Sequence, residues 1–240
     1  MDYKDAISGS SVRNFYFSGK MDMLNKFFRR IGKNNMKILC VGVGTGEEIS
    51  VSKKFGNVTV IDNNDDIIES ISGVKKYVCD ISNMNEISDG VFDVVVCLDV
   101  LEHVDDDIKS IGEINRVLKY GGSFIFSVPA VKKMFGYHDV FLGHKRRYNF
   151  TDIRNKCTSS GFSIDIISFW NFFLFTPVFL NRKIGNLLNS KPRQDNMNVP
   201  RIINLIFKKI LYFENRLIFT GIRFPFGVSI VGLCKKPFKE

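Results

Sequence analysis

The chain has 240 residues, 45% hydrophobic and 25% charged, with a net charge of +9. That length suits one domain with a large core, or one domain with an elaboration, and the modest Gly and Pro content excludes a disordered or fibrous chain. The charge is uneven: positions 172 to 224 hold nine Lys or Arg against two acids, a net of +7, so the basicity belongs to one segment.

The chain opens with a region, 1–35, in which "NFYFSGKMDMLNKFFRRIG" reads as an amphipathic helix. "MKILCVGV" is a buried parallel strand that stops at Gly42, Gly44 and Gly46. "EEISVSKKFG" follows as a short helix closed by Gly56. "NVTVID" is strand two and ends at Asp62, with Asn63 just beyond. "NDDIIESIS" is the next helix, and "KKYVCDI" is strand three, with Asp80 and Ile81 at its end. Strand four spans Asp93–Leu98 and delivers Asp99. "DDDIKSIGEINRVLKYGG" is a helix with acids at its N-terminus, apolar residues at 108, 111, 114, 117 and 118, and a stop at Gly121–Gly122. "SFIFSVP" is strand five, "TDIRNKCTSSGF" a helix capped by Thr151 and Asp152, "FSIDIISFWN" strand six and "GVSIVGLCKK" the last strand. Residues 172–224 are expected to be mostly helical, inserted between a core at 36–171 and a final strand and tail at 225–240. The alternation predicts an α/β chain with a doubly wound sheet and right-handed crossovers. Ligands of such sheets bind beyond the carboxyl ends of the strands, at the switch point.

The five cysteines form no C-x-x-C pair, and four sit in apolar runs, so buried free thiols in a reducing, cytoplasmic setting are expected. Met1–Ser11 lacks an apolar core, so no secretory signal is expected. The longest near-apolar run, Ile166–Leu180, is too short for a membrane span.

The glycine turn brings backbone N–H groups close to a ligand. Position 47 is Glu where a dinucleotide fingerprint needs Gly, and Glu47 and Glu48 oppose a pyrophosphate there. The ligand should therefore carry no phosphate. Asp62 is placed to accept two ribose hydroxyls. Asp80 is placed to receive an adenine amino group, with Ile81 covering the ring. The three strand ends describe an adenosine without phosphates.

"ILCVGVGTG", "VTVID", "YVCDI", "FDVVVCLDVLEHV" and "LKYGGSFIFSVP", taken in order over Met36 to Pro129, resemble the motifs of class I S-adenosylmethionine-dependent methyltransferases. The resemblance implies a Rossmann-like seven-stranded sheet of order 3-2-1-4-5-7-6 with an antiparallel last strand and a helical insertion before it. It implies S-adenosylmethionine as cofactor, held by Gly42, Gly44, Gly46, Asp62, Asn63, Asp80, Ile81, Leu98 and Asp99. "LDVLEHV" is similar to the ubiquinone-biosynthesis O-methyltransferases. One departure stands out: the family carries an acid two residues before the first glycine, and this chain has Cys40, so Asp99 or Glu47 must take over or binding weakens.

Methyl transfer from a sulfonium needs positioning above all, and an oxygen or nitrogen acceptor also needs a base. His138 and His144, in "FGYHDVFLGHKRRYNF", lie after strand five on the expected acceptor rim and are the candidate bases. Arg146 and Arg147 either clamp an anion or belong to a solvated basic loop. His103 either lies near the cofactor or holds its loop. In some quinone methyltransferases the set matching Asp99, Glu102 and His103 binds a divalent metal, but Asp99 shortens the first ligand and no metal is assigned. The basic segment 172–224 reads as a lid over an apolar acceptor, a helix resting on an anionic membrane surface, or a homodimer contact. The expected activity is O-methylation of a small molecule or a lipid or sugar precursor. Nucleic acid is disfavoured, because neither an Asp/Asn-Pro-Pro-aromatic motif nor a Pro-Cys nucleophile follows strand four; RNA methylation and a cofactor-binding scaffold without turnover are the alternatives.

Overall fold

A computed structural model describes residues 14–44, 46–187 and 200–239 of the chain. Residues 1–13 of the N-terminal region, Thr45 of the glycine turn and 188–199 of the basic insertion lie outside the described residues. The strands are β1 (Met36–Val41), β2 (Gly56–Asp62), β3 (Lys75–Val78), β4 (Phe92–Leu98), β5 (Leu118–Pro129), β6 (Ser163–Trp170) and β7 (Ser229–Lys235). They form one sheet of order β3-β2-β1-β4-β5-β7-β6. All neighbours are parallel except β7, which runs antiparallel between β5 and β6. This is the order that the resemblance implies. The order reverses between β1 and β4, which opens the switch-point crevice at their carboxyl ends.

Strand alternation divides the core in two. Ile38, Cys40, Val94 and Val96 face one side, where they meet Leu24, Phe27 and Phe28 of α1 (Phe15–Ile31). Leu39, Val41, Val95 and Cys97 face the other, where they meet Ile111, Ile114 and Val117 of α4 (Asp107–Val117). Between these in the chain lie α2 (Glu47–Ser52) and α3 (Asp65–Ser70). After β5 come α5 (Tyr137–Leu142), α6 (Phe150–Ser159), α7 (Phe175–Leu187) and α8 (Arg201–Phe219).

Helix α1 starts where Asn14 accepts the Tyr16 N–H at 2.9 Å, and ends at Gly32, whose φ of 70° closes it with a bond to the Phe28 carbonyl. Helix α8 packs on α1 and on β6. Buried Asn215 of α8 receives the Trp170 Nε1–H at 2.8 Å and donates to the Gly19 carbonyl at 2.8 Å. Its neighbour Glu214 accepts the backbone N–H groups of Phe172 and Phe173, while burial pushes its carboxyl above the usual range. The basic insertion is thus mostly helical where described, and bolted to the sheet through two polar side chains.

Three element boundaries differ from the sequence reading. Gly56 does not close a helix: α2 ends at Ser52, and Gly56 opens β2, where a Cβ would collide with the Met36 carbonyl at 2.0 Å. Helix α4 stops at Val117, not at Gly121–Gly122, because Leu118 already pairs with Phe92 at the edge of β4. The cap of α6 is Asn149, not Thr151 or Asp152. The cysteines are free, four of them buried, as expected. Among the described residues no helix is long and apolar enough to cross a membrane.

Candidate active site

At the end of β1 the chain turns through Gly42, Gly44 and Gly46, with φ of 65°, 42° and 72°. Only glycine adopts three such values without strain. Gly42 also leaves no room for a side chain: a Cβ would stand 2.4 Å from Cγ2 of Val100, just beyond β4. Its N–H is tied to the Ile61 carbonyl at 2.9 Å. The turn is thus pressed between the ends of β2 and β4.

The turn borders a cleft of about 340 Å³. Gly42, Gly44, Asp62, Asn63, Asp80, Ile81 and Asp99 all line it. Seven of the nine residues expected to hold the cofactor are therefore brought together. The other two need correction. Leu98 is buried in the core beneath the cleft, because it faces inward from β4. Gly46 is the residue before α2 and shapes the turn without lining the cleft.

Each carboxylate is fixed by its own loop. Asp62 accepts the Asn64 N–H at 3.0 Å, and Asn64 caps α3 through the Ile67 N–H. Asp80 accepts the Ser82 N–H at 2.6 Å. Asp99 sits at a φ of 53°, accepts the Ser127 hydroxyl at 2.6 Å, and pairs with the Nζ of Lys20 from α1. The sequence reading did not single out Lys20. Its signal was a cation on the apolar stripe Phe17, Lys20, Leu24, Phe27, all buried.

The floor beneath the turn is acidic. Glu48 is 3% exposed, its Oε2 has no hydrogen-bond partner among the described residues, and burial pushes its carboxyl up to about 7. The Cys40 thiol lies close enough for the two to interact; burial and then Glu48 push that thiol up to about 12. An acid thus stands beside Cys40 even though the strand itself supplies none.

On the rim, His144 is buried, and its Nδ1 lies 2.8 Å from Oδ1 of Asp139. Arg147 donates to the same oxygen at 2.7 Å and to the Ala130 carbonyl at 3.0 Å. Arg146 donates to the Asp105 carbonyl at 2.9 Å. Neither arginine is an anion clamp; both hold the loop. Tyr148 packs inward, with its hydroxyl on the Leu101 carbonyl. Neither His138 nor His144 lines the cleft, but His103 does, with its ring edge-on to His144 at 4.9 Å. Of the set that matches the metal ligands of some quinone methyltransferases, to which no metal is assigned, Asp99 is engaged by Lys20; among the described residues the ligand atoms that come within 4.8 Å of one another are those of Glu102, His103 and His144.

Comparison with known proteins agrees with this geometry. Residues 39–126 match the family model described as a methyltransferase domain. Over 113 residues the chain is 34% identical to the human thiol S-methyltransferase TMT1A, covering 43% of this chain and 46% of that protein. The chain spans less than half the length of the curated relatives it matches. A candidate methyltransferase of Bacillus halodurans superposes with a TM-score of 0.59 at 19% identity, over 89% of this chain and 98% of the other. An S-adenosylmethionine-dependent methyltransferase of Archaeoglobus fulgidus superposes with a TM-score of 0.56 at 17% identity, over 90% and 94%. Residues 39–126 are thus similar to a methyltransferase domain, the sheet around them has the class I fold, and the cofactor that goes with that likeness is S-adenosylmethionine. The residues present fit that cofactor. A side chain at Gly42 would collide with Val100, and the cleft lining holds Asp62, Asp80, Asp99 and Asp105 against Lys145, which is paired with Asp105; that acidic balance suits an adenosine without phosphates.

Proposed function

We propose that the chain is an S-adenosylmethionine-dependent methyltransferase acting on the oxygen of a small, lipid-like acceptor. The observation that carries this reading is the convergence of Asp62, Asp80 and Asp99 with the glycine turn on one cleft at the switch point. In it, Asp62 and Asn63 take the ribose, Asp80 and Ile81 the adenine, and Gly42 and Gly44 the chain that leads to sulfur. The cofactor supplies an electrophilic methyl group when bound. The protein's part is to position the acceptor, keep water out and remove a proton. The narrower kinship with the ubiquinone-biosynthesis O-methyltransferases we infer from "LDVLEHV" alone.

The base we assign is His144. Asp139 orients its Nδ1, which puts the basic lone pair on Nε2. His103, whose ring packs edge-on against it, lines the cleft. His138, buried on α5 away from the cleft lining, is the weaker candidate. His144→Ala is expected to lower turnover of a hydroxyl acceptor about 100-fold while S-adenosylmethionine binding stays within about twofold. An unchanged rate removes His144 from the chemistry. A second reading is favoured by the relative that is a thiol S-methyltransferase: an acceptor sulfur. A thiol ionises more readily than an alcohol, so a panel of hydroxyl and thiol amphiphiles separates the two. A thiol acceptor would be methylated with little loss in His144→Ala.

For the acceptor's route we propose that α8 rests on an anionic lipid surface. Ile202, Leu205, Ile206 and Phe213 are each at least half exposed on the helix face that also carries exposed Lys209. Such a face, with the surrounding basic charge, suits an interface rather than a span. The protein should co-sediment with vesicles of phosphatidylcholine and phosphatidylserine, and far less with phosphatidylcholine alone. Replacing Ile206 and Phe213 by Glu should abolish this. No retention on the anionic vesicles would discard the lipid surface, and a dimer by analytical ultracentrifugation would assign the face to a second copy.

A further inference from the structure

At the end of the sheet opposite the cofactor cleft lies a second hollow, of about 890 Å³. It exists because one face of the sheet is left uncovered there. Helices α2 and α3 contribute Ile49, Ile67 and Ile68 to the first face. The second face has α4, but the connection from β3 to β4, residues 79–91, carries no helix. The starts of β1, β2 and β3 are bare on that side, and their sequence matches. Alternation puts Lys37, Asn57, Thr59, Lys75 and Tyr77 on this face, where a strand buried on both sides would carry apolar residues. Lys37 stands in register with Asn57, and Thr59 with Lys75, so two lysines flank a polar floor. The hollow shares no lining residue with the cofactor cleft.

The charge of this hollow is unbalanced. Lys37, Lys53 and Lys75 line it against one acid, Glu86. Among the described residues none of these three amines forms an ion pair, whereas Arg116, Lys119, Lys132, Lys145 and Lys156 each sit on a carboxylate. Like charges gathered in a concavity focus their field on it and draw anions in. The Lys53 amine reaches over Gly73, where a Cβ would stand 3.6 Å from it. The Lys75 amine lies 4.9 Å from the centre of the Tyr77 ring. Val74, Tyr77 and Val91 give the hollow an apolar wall beside these cations. Cations, a polar floor and an apolar wall together suit an anion with a flat organic part, and the volume lies within the range of about 300–1,000 Å³ usual for small-molecule sites. The lipid surface assigned to α8 is not this ligand, because α8 packs on β6, at the edge of the sheet opposite β3. We propose that the hollow binds a nucleoside diphosphate, with Lys37, Lys53 and Lys75 on the diphosphate and the base against Tyr77. Three cations less one acid leave two positive charges to offset, which favours a diphosphate over a single phosphodiester. Lys75 gives up its contact with Tyr77 to the phosphate and frees the ring for the base. The inference is independent of the cofactor reading above.

Isothermal titration of the full chain with uridine diphosphate, in the presence and absence of S-adenosylmethionine, tests it. A uridine nucleotide is the probe because an adenine nucleotide would also enter the cofactor cleft. Wild-type protein should bind uridine diphosphate at least about 10-fold more tightly than uridine, as expected when charged hydrogen bonds are lost. Lys37→Gln and Lys75→Gln should each weaken uridine diphosphate about 10-fold, and leave S-adenosylmethionine binding within about twofold. Glu86→Gln should tighten it, by about threefold, since it removes the opposing charge from an exposed position. All three side chains are exposed, so the variants should fold. No binding of uridine diphosphate, equal affinity for uridine, or an affinity that the lysine variants leave unchanged overturns the proposal. Binding lost in Asp62→Ala but kept in the lysine variants would place the probe in the cofactor cleft and overturn it as well. A uridine oligonucleotide that binds more tightly than uridine diphosphate, with the same dependence on the lysines, would give the hollow to RNA and discard the nucleoside diphosphate.

Discussion

Asp62→Ala is expected to weaken S-adenosylmethionine binding by at least about 100-fold while the protein stays folded. The estimate follows from the two ribose hydroxyls assigned to this carboxylate, since a hydrogen bond to a charged group contributes about 1.5–3 kcal/mol each. The fold should survive because the structural duties of Asp62 are small. Its side chain accepts one N–H, from Asn64, at a turn open to water, and the bond from Cys79 goes to its backbone carbonyl, which the substitution keeps. Asp62→Asn separates the two roles. The amide oxygen can still accept the Asn64 N–H, but the charge is gone, so affinity should fall with no change in melting temperature. Titration of both variants with S-adenosylmethionine and with adenosine is the check. A ribose ligand lost from the site weakens both compounds alike. Unchanged affinity in both variants would remove Asp62 from the site and leave the glycine turn without its neighbour.

Much of this site was legible because it is written in local pattern. Gly42, Asp62, Asp80 and Asp99 each follow a short apolar run, and a parallel strand delivers whatever follows it to the same edge of the sheet. Leu98 falls outside the cleft lining for the same reason in reverse: alternation along β4 packs its side chain into the core, one residue before the cleft. What was not legible depends on pairs far apart in the chain. Lys20 meets Asp99 across 79 residues, and nothing near "FSGKMDML" says which charge waits on the other side. For Arg147 the sequence leaves an anion clamp and a solvated basic loop equally open, because a rim arginine shows no partner there. Its partner, Asp139, stands eight residues back, on a helix whose end at Gly143 turns the chain around. The helix ends failed where tertiary pairing outran the glycine signal, as when Leu118 joined Phe92 before the chain reached Gly121.

The basic insertion carries the remaining large effect, and it reaches the cleft through α1. Asn215 is fully buried, and its amide satisfies three groups on two other elements: the Trp170 Nε1–H, the Gly19 carbonyl and a carboxylate oxygen of Asp22, each at 2.8 Å. Asn215→Leu keeps the volume and removes every one of these bonds. Trp170, with no exposed surface, is then left with a buried donor and no acceptor, and Gly19 loses its donor inside the α1–α8 contact. At about 1–3 kcal/mol for each stranded buried group, the loss is about 3 kcal/mol or more. For a chain of this size that is roughly a 6–12 °C fall in melting temperature. Asn215→Asp, which retains the acceptor for Trp170, should lose less in the bond it keeps and add repulsion against Asp22. Scanning calorimetry orders the three proteins. The sequence position makes the functional consequence specific: Gly19 is the residue before Lys20, so loosening the α1–α8 contact moves the cation paired with Asp99 at the cleft. Asn215→Leu should therefore lose affinity for S-adenosylmethionine at a temperature where it remains folded. Equal affinities in variant and wild type, with the stability lost, would show that α8 supports the fold alone and has no hold on the site.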